Sequence, residues 1–157
     1  MSDFDTVLVV DFGAQYAQLI ARRVRECRVR SEIVPASISA EEVRRRSPKG
    51  VILSGGPRSV YEPGAYQADP GIFALGIPVL GICYGHQLMA KTLGGDVARA
   101  EAGEFGRTAV SGGCGLLFEG LAAEQTAWMS HNDAVVAAPE GFRATATSPG
   151  SRVAAME

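Results

Sequence analysis

The stretch Val79-Leu80-Gly81-Ile82-Cys83-Tyr84-Gly85-His86-Gln87 constrains the fold most. The apolar run from Pro78 to Ile82 predicts a buried strand, and Tyr84 to Leu93 predicts a helix that Gly94 and Gly95 stop. Cys83 stands at the junction, with Gly81 two residues before it and Gly85 two residues after. Glycine at both flanks is the mark of a sharp strand-to-helix elbow that presents a nucleophile, here with cysteine where serine is usual. Side chains at those positions would collide across the turn. At a helix N-terminus, unpaired N–H groups and the helix dipole favour a thiolate, so the sequence predicts a low Cys83 pKa. Gln87 follows one helical turn later.

Upstream, the chain alternates strand and helix. Strands are predicted at 6–10, 32–35, 50–53 and 78–82, and helices at 14–27, 40–46, 71–75 and 84–93. Ala17, Ile20, Val24 and Cys27 share one face of the first helix, which assigns Cys27 to packing. Ser39-Ala40-Glu41-Glu42 matches a capping box. Residues 58–69, with Pro63-Gly64 and Asp69-Pro70, read as an exposed loop. Alternation of this kind predicts an α/β fold: a mostly parallel open sheet with helices on both faces. Ligands of such sheets bind beyond the strands' carboxyl ends. Asp11, Ser54-Gly55-Gly56 and Cys83 all fall at that edge, and paired glycines there let backbone N–H groups approach a ligand.

After Gly95 the texture changes. Segments 96–100, 105–110, 127–130, 134–137, 142–147 and 153–156 are short and strand-like, and predict a C-terminal antiparallel extension. Cys114, within Gly112-Gly113-Cys114-Gly115, reads as a turn residue.

The net charge of −2 gives no electrostatic footprint for nucleic acid, and the arginines cluster on and just after one helix as a solvated face. Three cysteines without CxxC spacing argue against a disulfide framework or a zinc site. The start lacks a leader pattern and no apolar run reaches membrane-span length, so a cytoplasmic location is expected.

Gly81-Ile82-Cys83-Tyr84-Gly85-His86-Gln87, with Ser54-Gly55-Gly56-Pro57 upstream, resembles the class I glutamine amidotransferases. Asp11-Phe12-Gly13-Ala14-Gln15-Tyr16, Ser54 to Tyr61, Glu104-Phe105-Gly106-Arg107-Thr108 and Trp128-Met129-Ser130-His131 narrow the resemblance to the GMP synthetase branch of that family, over essentially the whole chain. The resemblance implies that Cys83 attacks the glutamine amide, that backbone N–H groups of Gly56 and Tyr84 hold the oxyanion, and that Gly55 and Gln87 help bind L-glutamine. It also implies that Ser130-His131-Asn132-Asp133 is a loop contacting the substrate's amino-acid end. Asn132 replaces the family's usual glycine there, and asparagine tolerates positive φ.

The resemblance further implies no cofactor for this domain, and a partner synthetase domain or subunit that uses ATP and Mg to aminate XMP. A homo-oligomer is a further expectation. The family's triad His and Glu belong to a His-Pro-Glu motif downstream of the last strand, and no such motif occurs in residues 1–157. The expectation is therefore one amidotransferase domain over 1–157, cut before those residues, without a synthetase domain and poorly active as given. His86, three residues along the helix from Cys83, is carried away from the elbow, and His131 suits a supporting role better than that of base.

Two other readings remain open at this level. One is a non-catalytic, regulatory module that binds glutamine. The other is a cysteine-elbow protein of the DJ-1/PfpI type, which leaves Ser54-Gly55-Gly56-Pro57 and Trp128-Met129-Ser130-His131 unexplained. An α/β-hydrolase is disfavoured by length and by the missing acid and histidine order.

Overall fold

Four short strands in the first half run parallel, and their apolar residues explain why. In the computed structural model, which describes residues 4–157, the chain divides into two units, Met1–Met89 and Ala90–Glu157. The first contains β1 (Thr6–Asp11), α1 (Tyr16–Glu26), β2 (Arg30–Pro35), α2 (Ala40–Arg46), β3 (Gly50–Leu53), a 3₁₀ turn (Pro70–Ala74), β4 (Val79–Gly81) and the start of α3 (Tyr84–Thr92). The sheet order is β2-β1-β3-β4. All pairs are parallel, with Val9 beside Ile33 and Ile52, and Val51 beside Val79. Leu8, Val9 and Val10 are all fully buried, so both faces of β1 are covered, as its unbroken apolar run predicts. Val9 packs with Ala17 and Ala21 of α1.

Four local readings need correction. The apolar run 78–82 forms β4 but is not buried: Leu80 and Ile82 are 37% and 38% exposed, because β4 is an edge strand of the described sheet. Cys27 is exposed and lies one residue past α1, because Arg28 takes a left-handed φ of 61° and ends the apolar stripe a position early. The capping box is half formed. Ser39 Oγ accepts from the Glu42 N–H at 3.1 Å, but the Glu42 carboxylate pairs with Arg45 and Arg46. Residues 58–69 form the expected irregular loop, yet Val60 and Ala68 within it are buried and anchor it.

The second unit is antiparallel, as expected, but β5, β6 and β8 are longer than their sequence suggests, while β7 starts two residues later than read. β5 (Asp96–Val110) pairs with β6 (Gln125–Ala137), and β7 (Ala144–Ser148) with β8 (Ser151–Met156). The break read between 100 and 105 is a bulge within β5. From Arg99 to Glu104 the strand takes five steps while β6 takes two, from Asp133 to His131. Among the described residues no helix is long and apolar enough to cross a membrane.

Candidate functional site

The elbow is built from main chain. Ile82 N–H donates to Leu53 O at 3.0 Å, and Gly85 N–H donates to Ser54 O at 3.0 Å, so β3 and the turn are stitched on both sides of Cys83. A Cβ at Gly81 would lie 2.7 Å from the Gly85 carbonyl carbon, and one at Gly85 would lie 2.6 Å from Leu53 Cβ and closer still to its carbonyl oxygen. Both glycines are thus required by contact, as the elbow pattern predicts. Cys83 itself is held at φ 53°, left-handed for a residue with a side chain. That conformation costs about 1–2 kcal/mol and persists because the flanking bonds impose it.

Cys83 is exposed. Its thiol is pushed up, not down. Desolvation by the packed atoms around it outweighs the Tyr84 N–H that favours the thiolate. This corrects the expectation of a thiolate made by the helix terminus alone. The elbow presents the sulfur, and desolvation works against its ionisation.

Of the residues expected around Cys83, Gly55 packs against it. Ser54 is fully buried, and its N–H donates to Val10 O at 3.1 Å. A Cβ at Gly55 would touch Cys83 Cβ at 3.7 Å. One at Gly56 would press on Phe12 O at 3.0 Å and Tyr84 Cγ at 3.1 Å. Tyr84 is buried, with its ring 5.3 Å from that of Phe12 and its hydroxyl donating to Tyr66 O at 2.5 Å. Phe12, Gly56 and the Tyr84 ring therefore form one packed group. Gln87 is buried on α3, where its N–H donates to Cys83 O at 3.0 Å. Asp11 shares the sheet edge, but its carboxylate accepts from the Gly13 N–H at 2.8 Å. It lines a groove of about 500 Å³ whose wall includes Tyr66 and not Cys83.

In the second unit, Ser130, His131, Asn132 and Asp133 lie within β6 and are not a loop. The expectation failed because the β5 bulge opposite lets a strand carry a break-like sequence. Asn132 is exposed, and it is absent from the non-glycine residues at positive φ, so its tolerance of that region is not used. Asp133 is buried and faces Arg99 across the ladder.

His131 reveals a group to which the sequence pattern assigns no role. Its Nε2 lies 3.2 Å from Glu104 Oε2, and Glu104 is buried. The same carboxylate accepts from Ser148 Oγ at 2.9 Å and from Gly150 N–H at 2.9 Å. His131 Nδ1 is buried and has no hydrogen-bond partner among the described residues. The available signal was alternation. Phe105 and Arg107 point outward, which turns Glu104 inward against the usual preference of a carboxylate.

Comparison with known proteins adds a family. Residues 8–157 match the family model described as glutamine amidotransferase class-I. The chain is 59% identical to a glutamine-hydrolyzing GMP synthase of a Parafrankia species, over 98% of this chain and 29% of that protein. It is 61% identical to the corresponding protein of Streptomyces coelicolor, over 98% of this chain and 30% of that one. It thus spans about 30% of the length of the curated relatives it matches. Among solved structures, a putative GMP synthase subunit from Thermoplasma acidophilum superposes with a TM-score of 0.88 at 32% identity, covering all of this chain and 79% of that one.

Proposed function

Because this chain belongs to the class I glutamine amidotransferase family, we propose that it removes the side-chain amide nitrogen of L-glutamine through Cys83 and supplies the ammonia for GMP synthesis. The observation that carries this is Cys83 on a left-handed elbow, packed against Gly55 and beside the Gly56–Tyr84 group. The Cys83 thiolate attacks the amide carbon. A sulfur–carbon bond forms, and the carbonyl electron pair moves onto oxygen, where the Gly56 and Tyr84 N–H groups receive it. Collapse expels ammonia once its nitrogen is protonated. Water then cleaves the thioester, releasing glutamate and returning the thiol.

Gly55 and Gln87 help hold the substrate, and Ser130, His131, Asn132 and Asp133 take its amino-acid end, as the family resemblance implies. A base assists ionisation of the raised Cys83 thiol, and the family's base, as the resemblance implies, is the His of the His-Pro-Glu motif. With His131 engaged by Glu104, residues 1–157 are one amidotransferase domain that turns over glutamine slowly by itself. Amination of XMP, with its ATP and Mg, belongs to a synthetase domain or subunit. The setting is the cytoplasm, self-association is part of the reading, and neither nucleic acid nor membrane is a partner.

The test is Cys83→Ala in the full-length protein. Glutamine-dependent GMP formation should vanish while ammonia-dependent formation continues. Loss of both would show a structural role for Cys83. Glutamate release by residues 1–157 should be about a hundred-fold or more below that of a form extended through His-Pro-Glu, the range typical of lost acid–base assistance. Equal rates would place a base within these residues.

A further inference from the structure

Ser54 is fully buried, and its hydroxyl sits between two main-chain groups. The Phe12 N–H lies 3.1 Å from Oγ, and the Gly55 carbonyl oxygen lies 3.0 Å from it. The direction of both bonds follows from chemistry. An amide N–H only donates, so Oγ accepts from Phe12. A carbonyl oxygen only accepts, so the single hydroxyl proton goes to Gly55.

The Gly55 carbonyl and the Gly56 N–H belong to one planar peptide. There is no cis peptide bond among the described residues. In a trans peptide the two groups point opposite ways. Holding the carbonyl toward the buried hydroxyl therefore turns the Gly56 N–H away from the core. This peptide needs such a hold. A Cβ at Gly56 would press on Phe12 O at 3.0 Å and Tyr84 Cγ at 3.1 Å, so any side chain there must displace its neighbours. A peptide between two glycines also rotates more freely than any other. Nothing in a Gly-Gly link itself decides whether it presents an N–H or a carbonyl.

We infer that Ser54 is a positioning residue that fixes the Gly55–Gly56 peptide with its N–H presented as an oxyanion donor. This rests on the reading that Gly56 N–H serves the Cys83 reaction. A peptide turned the other way would place a carbonyl dipole where negative charge develops. The contribution of Ser54 therefore appears in the transition state and not in substrate binding.

The experiment is steady-state glutaminase kinetics on the form extended through His-Pro-Glu, comparing wild type with Ser54→Ala and Ser54→Thr. Ser54→Ala should lower kcat about 10- to 100-fold, a part of the loss seen when an oxyanion donor is removed outright, with KM for glutamine within about two-fold. Alkylation of Cys83 by iodoacetamide, which needs no oxyanion hole, should proceed at the wild-type rate. Ser54→Thr keeps the hydroxyl and should recover most of kcat. If Ser54→Ala fails to fold, Ser54→Cys supplies a side chain of similar size with a weak donor and should show the same selective loss of kcat. An unchanged kcat in Ser54→Ala, or in Ser54→Cys where that variant replaces it, overturns the inference. So does a joint change in kcat, KM and iodoacetamide rate, which marks a general structural role. Wild-type protein without glutaminase activity, or with activity that survives Cys83→Ala, overturns the functional reading itself and takes the inference with it.

Discussion

The two units hold their candidate residues by different means. In the parallel unit, the turn around Cys83 is stitched by main-chain hydrogen bonds from Ile82 and Gly85, with Gly81 and Gly85 packed against backbone with no room for a side chain, and side chains enter only beside it, at Ser54 and Tyr84. In the antiparallel unit, Ser130 to Asp133 lie on a two-stranded ribbon interrupted by a bulge, and a side chain does the fixing. There Glu104 gathers His131, Ser148 and Gly150 from β6 and the β7–β8 turn. The difference follows from burial. The parallel sheet is packed around β1, whose faces are both covered, and the turns beside it inherit a rigid frame. A two-stranded ribbon has little core of its own, and polar pins compensate.

Chemistry at the elbow gives the largest expected effect. A glutamine-shaped diazo ketone should label Cys83 in preference to Cys27 and Cys114, and Cys83→Ala should remove the label entirely, as read by peptide mapping. All three cysteine residues are exposed, so selectivity must come from recognition. Label chiefly on Cys27 or Cys114 would break the assignment of a reactive elbow. The pH profile sharpens it. Although Cys83 is exposed as a residue, atoms packed near its sulfur desolvate the thiol and raise it, so its thiolate fraction at a given pH is lower than that of a free thiol. Its iodoacetamide rate should therefore still be climbing beyond pH ~8.5, the ordinary cysteine midpoint. A plateau below that pH would make the helix terminus the dominant influence after all.

The backbone-held unit should be intolerant at its tight glycines and indifferent elsewhere. Gly85→Ala, which drives a Cβ into Leu53, should destabilise by about 3 kcal/mol in urea titration, at the upper end for overpacking. Gly50→Ala, with Pro78 O at an ordinary 3.6 Å, should stay within about 0.5 kcal/mol. Similar values at the two sites would remove the contrast between elbow and strand.

The side-chain-held unit should fail at its pin. Glu104→Ala strands the Ser148 hydroxyl, the Gly150 N–H and the His131 ring, and should cost about 2–3 kcal/mol. Amide exchange should accelerate first in β5 and β6. Glu104→Gln, which retains an acceptor, should lose less. If exchange in β1 and β3 rose equally, the two units would share one unfolding event. The smallest effect belongs to an ordinary helix cap. Ser39→Ala should cost about 1 kcal/mol, which urea titration checks.

Legibility in the sequence tracks the same division. The strands 6–10 and 50–53, the alternation with helices and both elbow glycines could be read directly, because parallel strands announce themselves as apolar runs and a tight turn announces itself as glycine. The long β5 and β6 could not. Glu101-Ala102-Gly103 and Asn132-Asp133 carry the composition of turns, and only pairing across the ladder shows that the first is a bulge and the second part of a strand. Glu104 was visible as part of a motif but not as a pin, since Ser148 and Gly150 lie more than forty residues away in sequence.

By itself, then, the sequence determined the parallel architecture, the place of Cys83 at a strand–helix junction, and the need for glycine around it. These depend on side-chain size and local periodicity, which a one-dimensional string records. Tertiary structure alone decided that the Cys83 sulfur is desolvated by the atoms packed near it, that Ser54 Oγ meets the Gly55 carbonyl, and that Glu104 meets His131. Solvent exclusion and hydrogen-bond direction depend on which distant atoms arrive at one point, and only the folded chain brings them there.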